Sequence, residues 1–350
     1  MTLSELLEKA ISENASDLHL TVGMAPILRI NGELVKVESY KLTTTDTEKY
    51  VKELLGNFYD EYDRNGEIDT SMSIAGIGRF RVNAYKQRGS HAVAIRAVAL
   101  KVPTLSELKL PPVVKELTQK QRGLVLVTGP TGSGKSSTLA AMINEINTSR
   151  AAHIITLEDP VEFLHRHNKS IINQREIGRD TLSYKAALRA ALREDPDVIL
   201  VGEMRDLETI STAITAAETG HLVLSTLHTI GAAKTIDRII DVFPPYQQQQ
   251  IKIQLAAVLQ GIVSQQLIPR ADGKGRVGSF EIMIINSAIQ NLIREGKTHQ
   301  IQSSIQTGNK YGMRTMDMSL VELYKTGLIS YESALTYSVD RDMLKRMIGL

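Results

Sequence analysis

The segment GPTGSGKS at residues 129–136 has the residue types and spacing of a phosphate-binding loop, G-x-x-x-x-G-K-[ST]. Glycines let backbone N–H groups turn toward phosphate oxygens, and the N-terminus of the following helix adds the positive end of its dipole. Lys135 would reach the β- and γ-phosphates, and the Ser136 hydroxyl would bind Mg²⁺. The sequence therefore predicts that a nucleoside triphosphate contacts the loop and the residue after it, at Gly129, Pro130, Thr131, Gly132, Ser133, Gly134, Lys135, Ser136 and Ser137.

The residues on either side of this loop support the prediction. The strand-like run GLVLVT precedes the loop, and the helical run TLAAMIN follows it. A match to the pattern alone is expected by chance on the order of once in a hundred chains of this length. An ordinary glycine-rich turn is therefore the weaker explanation.

Acidic residues follow the strand-like run HIITL, at the end where an open parallel sheet binds ligands. Glu158 and Asp159 come directly after this run, and Glu162 follows about one helical turn later. Glu158 and Glu162 are candidate catalytic acids, and Glu158 or Asp159 is a candidate to help Ser136 bind Mg²⁺. The alternative is that these are ordinary solvated acids at the end of a strand.

A second buried-type strand, VILV at residues 198–201, ends at Gly202 and Glu203. The position after such a strand usually holds an acid that binds Mg²⁺ through water, and here it holds Gly202. Glu203 is therefore the candidate base that orients or deprotonates the attacking water. His228 ends the strand-like run HLVLSTLH and is a candidate sensor of the γ-phosphate.

The elements that must position these residues begin with a small α+β unit. Thr2 and Glu5 have the spacing of a capping box at the start of an amphipathic helix. The pair Asn31-Gly32 is a strong hairpin signal between two strand-like runs. A further helical stretch is expected near residues 44–56.

A linker separates this unit from the rest of the chain. Strands are predicted between Ile68 and Leu100, and three prolines then fall between Lys101 and Pro112. We expect an N-terminal domain at residues 1–100, a linker at 101–112 and a second domain at 113–350.

The second domain has short apolar runs separated by helical stretches, which is typical of a parallel sheet with crossover helices. The predicted strands are 124–128, 153–157, 197–201 and 222–226. From Pro244 onward the pattern favours a helical extension, with helices at 246–260, 287–295, 316–325 and 331–338 and a hairpin-like segment around 272–285.

Composition excludes several classes of protein. The 350 residues carry 41 Lys and Arg against 39 Asp and Glu, a net charge of +2 that gives no electrostatic argument for nucleic acid or anionic lipid. The absence of cysteine excludes disulfides, thiolate zinc sites and a cysteine nucleophile. No apolar run approaches the roughly 18 residues of a membrane span, and the N-terminus lacks the pattern of a signal peptide. We therefore expect a cytoplasmic location.

Together these motifs resemble the type II/type IV secretion ATPases, and within them the type IV pilus retraction ATPases of the PilT family. TLEDPVE resembles the family's Asp box, DPDVILVGEMRD its Walker B segment with glycine in place of the acid, and HLVLSTLHT its His box. The opening ASDLHL at residues 15–20 resembles the family's N-terminal domain. AIQNLIREGK at residues 288–297 is similar to the retraction signature AIRNLIRE, with Gln290 in place of an arginine.

The resemblance implies a PAS-like N-terminal domain, a RecA-like ATPase domain that hydrolyses ATP with Mg²⁺, and a homohexameric ring. Arg81 and Arg96 fall where the family places arginines that reach a neighbouring subunit's triphosphate. The implied function is a motor for pilus retraction and twitching motility, acting on a platform protein at the inner face of the cell membrane. Pilus-assembly and type II secretion ATPases typically add an N-terminal domain and a four-cysteine zinc module, so a chain of this length without cysteine favours retraction.

Other functions stay open at this point. A nucleic-acid translocase has the same RecA-like core, but the near-neutral charge and the lack of a basic and aromatic strip count against it. A small-molecule kinase is disfavoured because no acceptor site or lid is evident. The non-enzymatic alternative is a nucleotide-gated ring or an accessory paralogue that modulates another motor.

Overall fold

A computed structural model describes residues 1–30, 32–37, 39–74, 76–98 and 101–349. Its contacts divide the chain into two compact units. The first consists of Met1–Lys101 together with Glu162–Leu164, and the second of Val102–Val161 and His165–Leu350.

The first unit is an antiparallel sheet with helices against one face. Its strands follow the spatial order β3-β2-β1-β6-β5-β4. Its elements are α1 (Leu3–Ser12), β1 (Asp17–Thr21), β2 (Ile27–Ile30), β3 (Glu33–Lys36), α2 (Thr44–Leu55), α3 (Tyr59–Asn65), β4 (Glu67–Ile74), β5 (Gly78–Gln87) and β6 (Ser90–Val98).

Local signals in the sequence account for the start of this unit. The Thr2 hydroxyl accepts the Glu5 N–H at 3.3 Å and the Glu5 carboxylate accepts the Thr2 N–H at 2.8 Å, so the predicted capping box is confirmed. β2 and β3 pair antiparallel with Ile30 opposite Glu33, which confirms the hairpin. Asn31 of the turn signal and Leu100 at the end of the predicted strand segment lie outside the described residues.

The two faces of this sheet differ in chemistry because successive residues of a strand point to opposite sides. Along β5, Phe80, Val82 and Ala84 are buried in the core of the unit with the apolar faces of α1 and α2. Arg79 and Arg81 alternate with them and project from the other face. The core therefore fixes which residues this sheet presents outward.

The second unit is a mostly parallel sheet with helices on both faces. Its strand order is β13-β12-β7-β11-β10-β8-β9, and β13 alone among these strands runs antiparallel to its neighbour. Its strands are β7 (Gly123–Thr128), β8 (His153–Glu158), β9 (Ile171–Glu176), β10 (Val198–Val201), β11 (Leu222–Leu227), β12 (Leu259–Pro269) and β13 (Arg276–Ile284). Its helices are α4 (Val113–Thr118), α5 (Lys135–Ser149), α6 (Tyr184–Ala191), α7 (Leu207–Glu218), α8 (Ala232–Asp241), α9 (Pro245–Val258), α10 (Ser287–Arg294), α11 (Ile301–Gln306), α12 (Met316–Lys325), α13 (Tyr331–Tyr337) and α14 (Arg341–Ile348).

Helices cover both faces because the central strands are apolar on both. Leu124 and Leu126 of β7 belong to the core cluster that contains residues of α6 to α11, whereas Val125 and Val127 belong to the cluster with α4 and α5. All four side chains are fully buried. Continuous apolar runs of this kind are typical of parallel sheets covered on both sides.

The four predicted central strands and the predicted helices at the C-terminal end are confirmed, but the sheet is wider than the sequence indicated. β9 was not predicted, because Asn173, Gln174 and Arg175 interrupt its pattern at the sheet edge. The hairpin-like segment begins earlier than predicted, since β12 extends the main sheet beside β7. The polar run Ser264, Gln265 and Gln266 obscured this strand, although all three residues are buried.

In the part of the chain that the structure describes, no helix is both long enough and apolar enough to cross a membrane.

Candidate functional site

Four parallel strands of the second unit end at the same edge of the sheet. β7, β11, β10 and β8 are neighbours, with Thr128 opposite Leu227 and Val201 opposite Leu157. Because adjacent strands are about 4.8 Å apart, the ends of β7 and β8 lie about 14 Å from each other. Predicted residues of this unit lie at these ends: the loop at 129–136, Glu203 and His228 follow their strands, and Glu158 is the last residue of β8.

The loop after β7 has the conformation that its glycines predict. Gly132 and Gly134 have φ angles of 77° and 88°, in the left-handed region, and α5 begins at Lys135. The Lys135 ammonium donates to the carbonyl oxygens of Gly129 at 2.9 Å and Pro130 at 3.1 Å. The cation therefore lies folded over the loop, within reach of an anion bound there.

Two buried hydroxyls at this loop fit a bound nucleotide. Thr128 Oγ1 and Ser133 Oγ have no hydrogen-bond partner among the described residues. Buried polar groups are normally hydrogen-bonded, so these hydroxyls are available to a ligand. Ser136 and Ser137, in the first turn of α5, are partly exposed. The loop thus offers hydroxyls, a helix N-terminus and a cation to phosphate, while Thr131 is exposed at its tip.

A cleft of about 240 Å³ lies beside the phosphate loop, in the second unit. Ser133, Gly134 and Ser137 form one wall, and the β12–β13 hairpin contributes Leu267 and Phe280. Charged side chains also line it, so the cleft offers charged as well as apolar groups to a ligand. The cleft is the natural place for the part of a nucleotide that extends beyond its phosphates.

Glu203 lies between two cationic or titratable side chains. Its carboxylate is 2.8 Å from Arg205 Nε and 3.5 Å from His228 Nε2. Glu203 is about one-fifth exposed, whereas Arg205 and His228 are largely open to solvent. The structure thus brings together the predicted base and the predicted γ-phosphate sensor from two neighbouring strands.

Hydrogen bonds to Thr226 and the cap on α7 hold the loop that carries Glu203. Thr226 of β11 donates its hydroxyl to the Gly202 carbonyl oxygen at 2.6 Å and accepts the Met204 N–H through its own carbonyl at 3.2 Å. Asp206 caps α7 by accepting the Thr209 N–H at 2.9 Å. The adjacent residues Arg205 and Asp206 thus have different partners: Arg205 pairs with Glu203, and Asp206 caps α7.

Tyr184, which no motif in the sequence indicated, contacts the glycine at the end of β10. A Cβ atom at Gly202 would lie 2.8 Å from the Tyr184 hydroxyl and 3.1 Å from the Leu157 carbonyl oxygen. The tyrosine thus takes the space of the acidic side chain expected there. Burial raises the pKa of the Tyr184 phenol well above its usual range, and the nearby charges of Glu203, Asp159 and Glu158 raise it further. The phenol therefore stays neutral beside these carboxylates.

The acids after β8 divide between the two units. Glu158 accepts hydrogen bonds from Thr156 at 2.7 Å and Gln174 at 3.1 Å, and Asp159 is exposed. Glu162 is exposed in the short segment that clusters with the first unit, so its catalytic role stays a prediction. Among the described residues, no three His, Asp or Glu side chains are grouped to hold a metal. Binding of Mg²⁺ by Ser136, with help from Glu158 or Asp159, stays a prediction.

Arg81 and Arg96 face each other on the outward face of the first unit's sheet. They are direct cross-strand partners on β5 and β6. Arg81 makes two bonds to the Asp69 carboxylate, at 2.5 and 3.2 Å, and Arg96 binds Asp17 at 2.9 Å. Burial acts to raise the pKa of Asp17, but the hydrogen bonds from Ser16 and Arg96 outweigh it and hold that pKa below its usual value. Acidic neighbours thus keep two like charges side by side.

Known proteins share this organisation. Residues 1–333 match the family described as Type II/IV secretion system protein. The chain belongs to this family. Together, the phosphate loop, the fold and the family make it a P-loop ATPase.

Relatives within the secretion family match nearly the whole chain. The type IV pilus retractation ATPase PilT of Pseudomonas aeruginosa is 48% identical over 335 residues, covering 95% of this chain and 97% of that protein. A twitching motility protein of Neisseria gonorrhoeae is 50% identical over 310 residues, covering 88% of this chain and 83% of that protein.

A solved structure gives the same result for the fold. The crystal structure of the pilus retraction motor PilT with bound ADP is 49% identical, has a TM-score of 0.93 and covers 99% of both chains. The predicted fold class is confirmed: an N-terminal α+β domain followed by a RecA-like ATPase domain with a helical C-terminal extension.

The contact between Gly202 and Tyr184 makes a prediction for folding stability. We expect Gly202→Ala to lower the free energy of unfolding by about 1–3 kcal/mol, because the added methyl group overpacks the site. In a Tyr184→Phe background, Gly202→Ala should lower the free energy of unfolding by less, because the hydroxyl that the methyl group would meet is absent. Urea denaturation of the four proteins gives this double-mutant cycle. An equal cost in both backgrounds would show that Tyr184 does not impose the glycine.

Proposed function

We propose that this P-loop ATPase is a homohexameric motor that powers type IV pilus retraction and twitching motility. The observation that carries the proposal is the near-complete match to PilT in sequence and fold. The motor would act on a platform protein at the cytoplasmic face of the inner membrane. We further propose a boundary between the domains at residues 101–112 and no role for nucleic acid.

The phosphate loop would hold ATP through residues 129–137. Its backbone N–H groups and the N-terminus of α5 face the phosphates, and Lys135 moves from its two loop carbonyls onto the β- and γ-phosphates. Ser136, with Glu158 or Asp159, would hold Mg²⁺. When bound, this ion supplies positive charge at the phosphate oxygens.

Water would attack the γ-phosphorus in line with the departing ADP. Glu203 is the base that orients this water or accepts its proton, and Arg205 and His228 hold the carboxylate in place. The arrangement supports this role because β10 and β11 are adjacent in the sheet, and the residues that follow them bring Glu203 within 3.5 Å of His228.

Arg81 and Arg96 would complete the site from a neighbouring subunit. A guanidinium stabilises charge that develops on the transferring phosphoryl group. In the described structure both arginines are held by carboxylates at an exposed face, with exposed side-chain fractions of 43% and 66%. On approach of a triphosphate, each would exchange an exposed ion pair of low net stability for a stronger charge interaction.

The cellular function is tested by deletion of the gene. We expect cells that keep their pili but do not retract them, with retraction restored by the wild-type gene and not by a gene encoding Glu203→Gln. The measurement is pilus imaging together with a twitching assay. Cells without pili, or cells that retract normally, would contradict the retraction function.

The role of Glu203 is tested in the purified protein. We expect Glu203→Gln to bind ATP as the wild type does but to hydrolyse it about 10²–10⁴ times more slowly, because the amide cannot accept the proton. The matched control is Glu208→Gln on α7, whose exposed carboxylate pairs with Lys185. This control should hydrolyse ATP normally. Near-normal turnover by Glu203→Gln would exclude the base.

Mixed rings test whether the arginines of one subunit act at the nucleotide site of its neighbour. Arg96→Ala and Lys135→Ala proteins should each lose hydrolysis, the arginine variant by about 10³-fold or more. Rings assembled from both should regain activity, since a Lys135→Ala subunit still offers its arginine to an intact neighbouring loop. Arg88→Ala, in the turn between β5 and β6, is the control that should stay active. Mixed rings that stay inactive would refute the arrangement.

A further inference from the structure

Gln265 of β12 lies directly against the phosphate loop. β12 pairs with β7 in parallel, with Ser264 opposite Thr128, so the next residue reaches the start of the loop. Gln265 is 3% exposed and uses both ends of its side-chain amide. Its Nε2 donates to the Ser133 carbonyl oxygen at 2.6 Å, and its Oε1 accepts the Thr138 hydroxyl at 2.8 Å.

The hydrogen-bond partners fix the orientation of this amide. A backbone carbonyl oxygen can only accept, so the nitrogen end of Gln265 must face Ser133. The oxygen end is then left for Thr138, whose hydroxyl can donate. One glutamine thus joins the end of the loop to the first turn of α5.

The bond to Ser133 also sets the direction of an N–H group. A trans peptide is planar, so the Ser133 C=O and the Gly134 N–H point in opposite directions. Since Gln265 holds the carbonyl oxygen on its own side, the Gly134 N–H points away from Gln265. Inward-pointing N–H groups of this kind form the anion-binding concavity of a phosphate loop.

Close packing leaves little freedom at this contact. A Cβ atom at Gly129 would lie 2.2 Å from the Gln265 carbonyl oxygen, and one at Gly134 would lie 3.2 Å from Gln265 Nε2. The first and last glycines of the loop therefore both rest against the same residue. β12 braces the neighbouring loop as well, because Ser264 Oγ accepts the Gly231 N–H at 2.9 Å, three residues after His228.

We propose that Gln265 is a positioning residue that holds the phosphate loop in its nucleotide-binding conformation and thereby sets the affinity for the nucleotide. This inference rests on the proposed assignment of residues 129–137 to the phosphate site. Preorganisation of this kind raises affinity because the loop need not be ordered when the ligand binds. Gln265 itself acts through the loop.

The test is the affinity for ADP of Gln265→Glu, measured by isothermal titration calorimetry at pH 8 and pH 5.5. Glutamate has the same shape, but its carboxylate places an oxygen against the Ser133 carbonyl oxygen. We expect ADP to bind about tenfold more weakly or worse at pH 8, as a buried hydrogen bond is lost. The loss should shrink at pH 5.5 relative to the wild type, because burial raises the pKa of the new carboxyl and its protonated form donates again.

The matched control is the next residue along the strand. Gln266 is 8% exposed, and its side chain donates to the Tyr337 carbonyl oxygen at 3.4 Å, on the opposite face of the sheet. Gln266→Glu introduces the same charge at similar burial and should leave the ADP affinity unchanged. Equal weakening by both variants, or wild-type affinity in Gln265→Glu at pH 8, would overturn the inference.

Two further variants keep the result decisive. If Gln265→Glu does not fold, Thr138→Val takes its place, because it removes only the hydroxyl that donates to the Gln265 amide oxygen. We expect Thr138→Val to weaken ADP binding by a few fold. Unchanged affinity in that variant would overturn the inference. Lys135→Ala tests the site itself. If Lys135→Ala loses affinity and Gln265→Glu does not, the site stands and the inference fails. If neither loses affinity, the site assignment fails, and the inference fails with it.

Discussion

The site depends above all on the in-register pairing of β7, β11, β10 and β8. Backbone hydrogen bonds between parallel strands fix where each strand ends relative to its neighbours, and here the ends align at one edge. The phosphate loop, His228, Glu203 and Glu158 are far apart in sequence, and this pairing brings them to the same edge of the sheet. The side chains of these strands are close-packed on both faces, so a shift in register would disrupt packing on each side of the sheet.

Steric exclusion then decides residue identity at this edge. Gly202 stands where an acid is usual, and a Cβ atom there would meet both the Tyr184 hydroxyl at 2.8 Å and the Leu157 carbonyl oxygen at 3.1 Å. Gly129 is required because the Gln265 carbonyl oxygen lies against its Cα. In both places the residue that imposes the glycine comes from a distant part of the chain. Tyr184 brings a neutral hydroxyl into the group of carboxylates, and Gln265 brings an amide to the loop.

The two units bury their sheets differently, and their candidate site residues therefore lie in different places. The second unit buries both faces of its sheet, and its candidate site lies at the ends of the strands. The first unit buries one face and leaves the other to Arg81, Arg96 and their acidic partners Asp69 and Asp17. Two adjacent arginines on this face destabilise the first unit little, because carboxylates on neighbouring strands offset the repulsion between the two guanidinium groups.

Short stretches of sequence were enough to predict the phosphate loop, the acids and histidine near the ends of the central strands, the α1 capping box and the β2–β3 hairpin. These are short-range signals, in which a few neighbouring residues fix the local backbone or the chemistry. The resemblance of five such segments to the secretion ATPases predicted the fold class. Tertiary structure alone decided that β12 joins the sheet, that Arg205 pairs with Glu203, that Tyr184 fills the space beside Gly202, and that Gln265 supports the loop. Each of these depends on contacts between residues remote in sequence, and a buried polar residue such as Gln265 looks like an interruption until its partners are known.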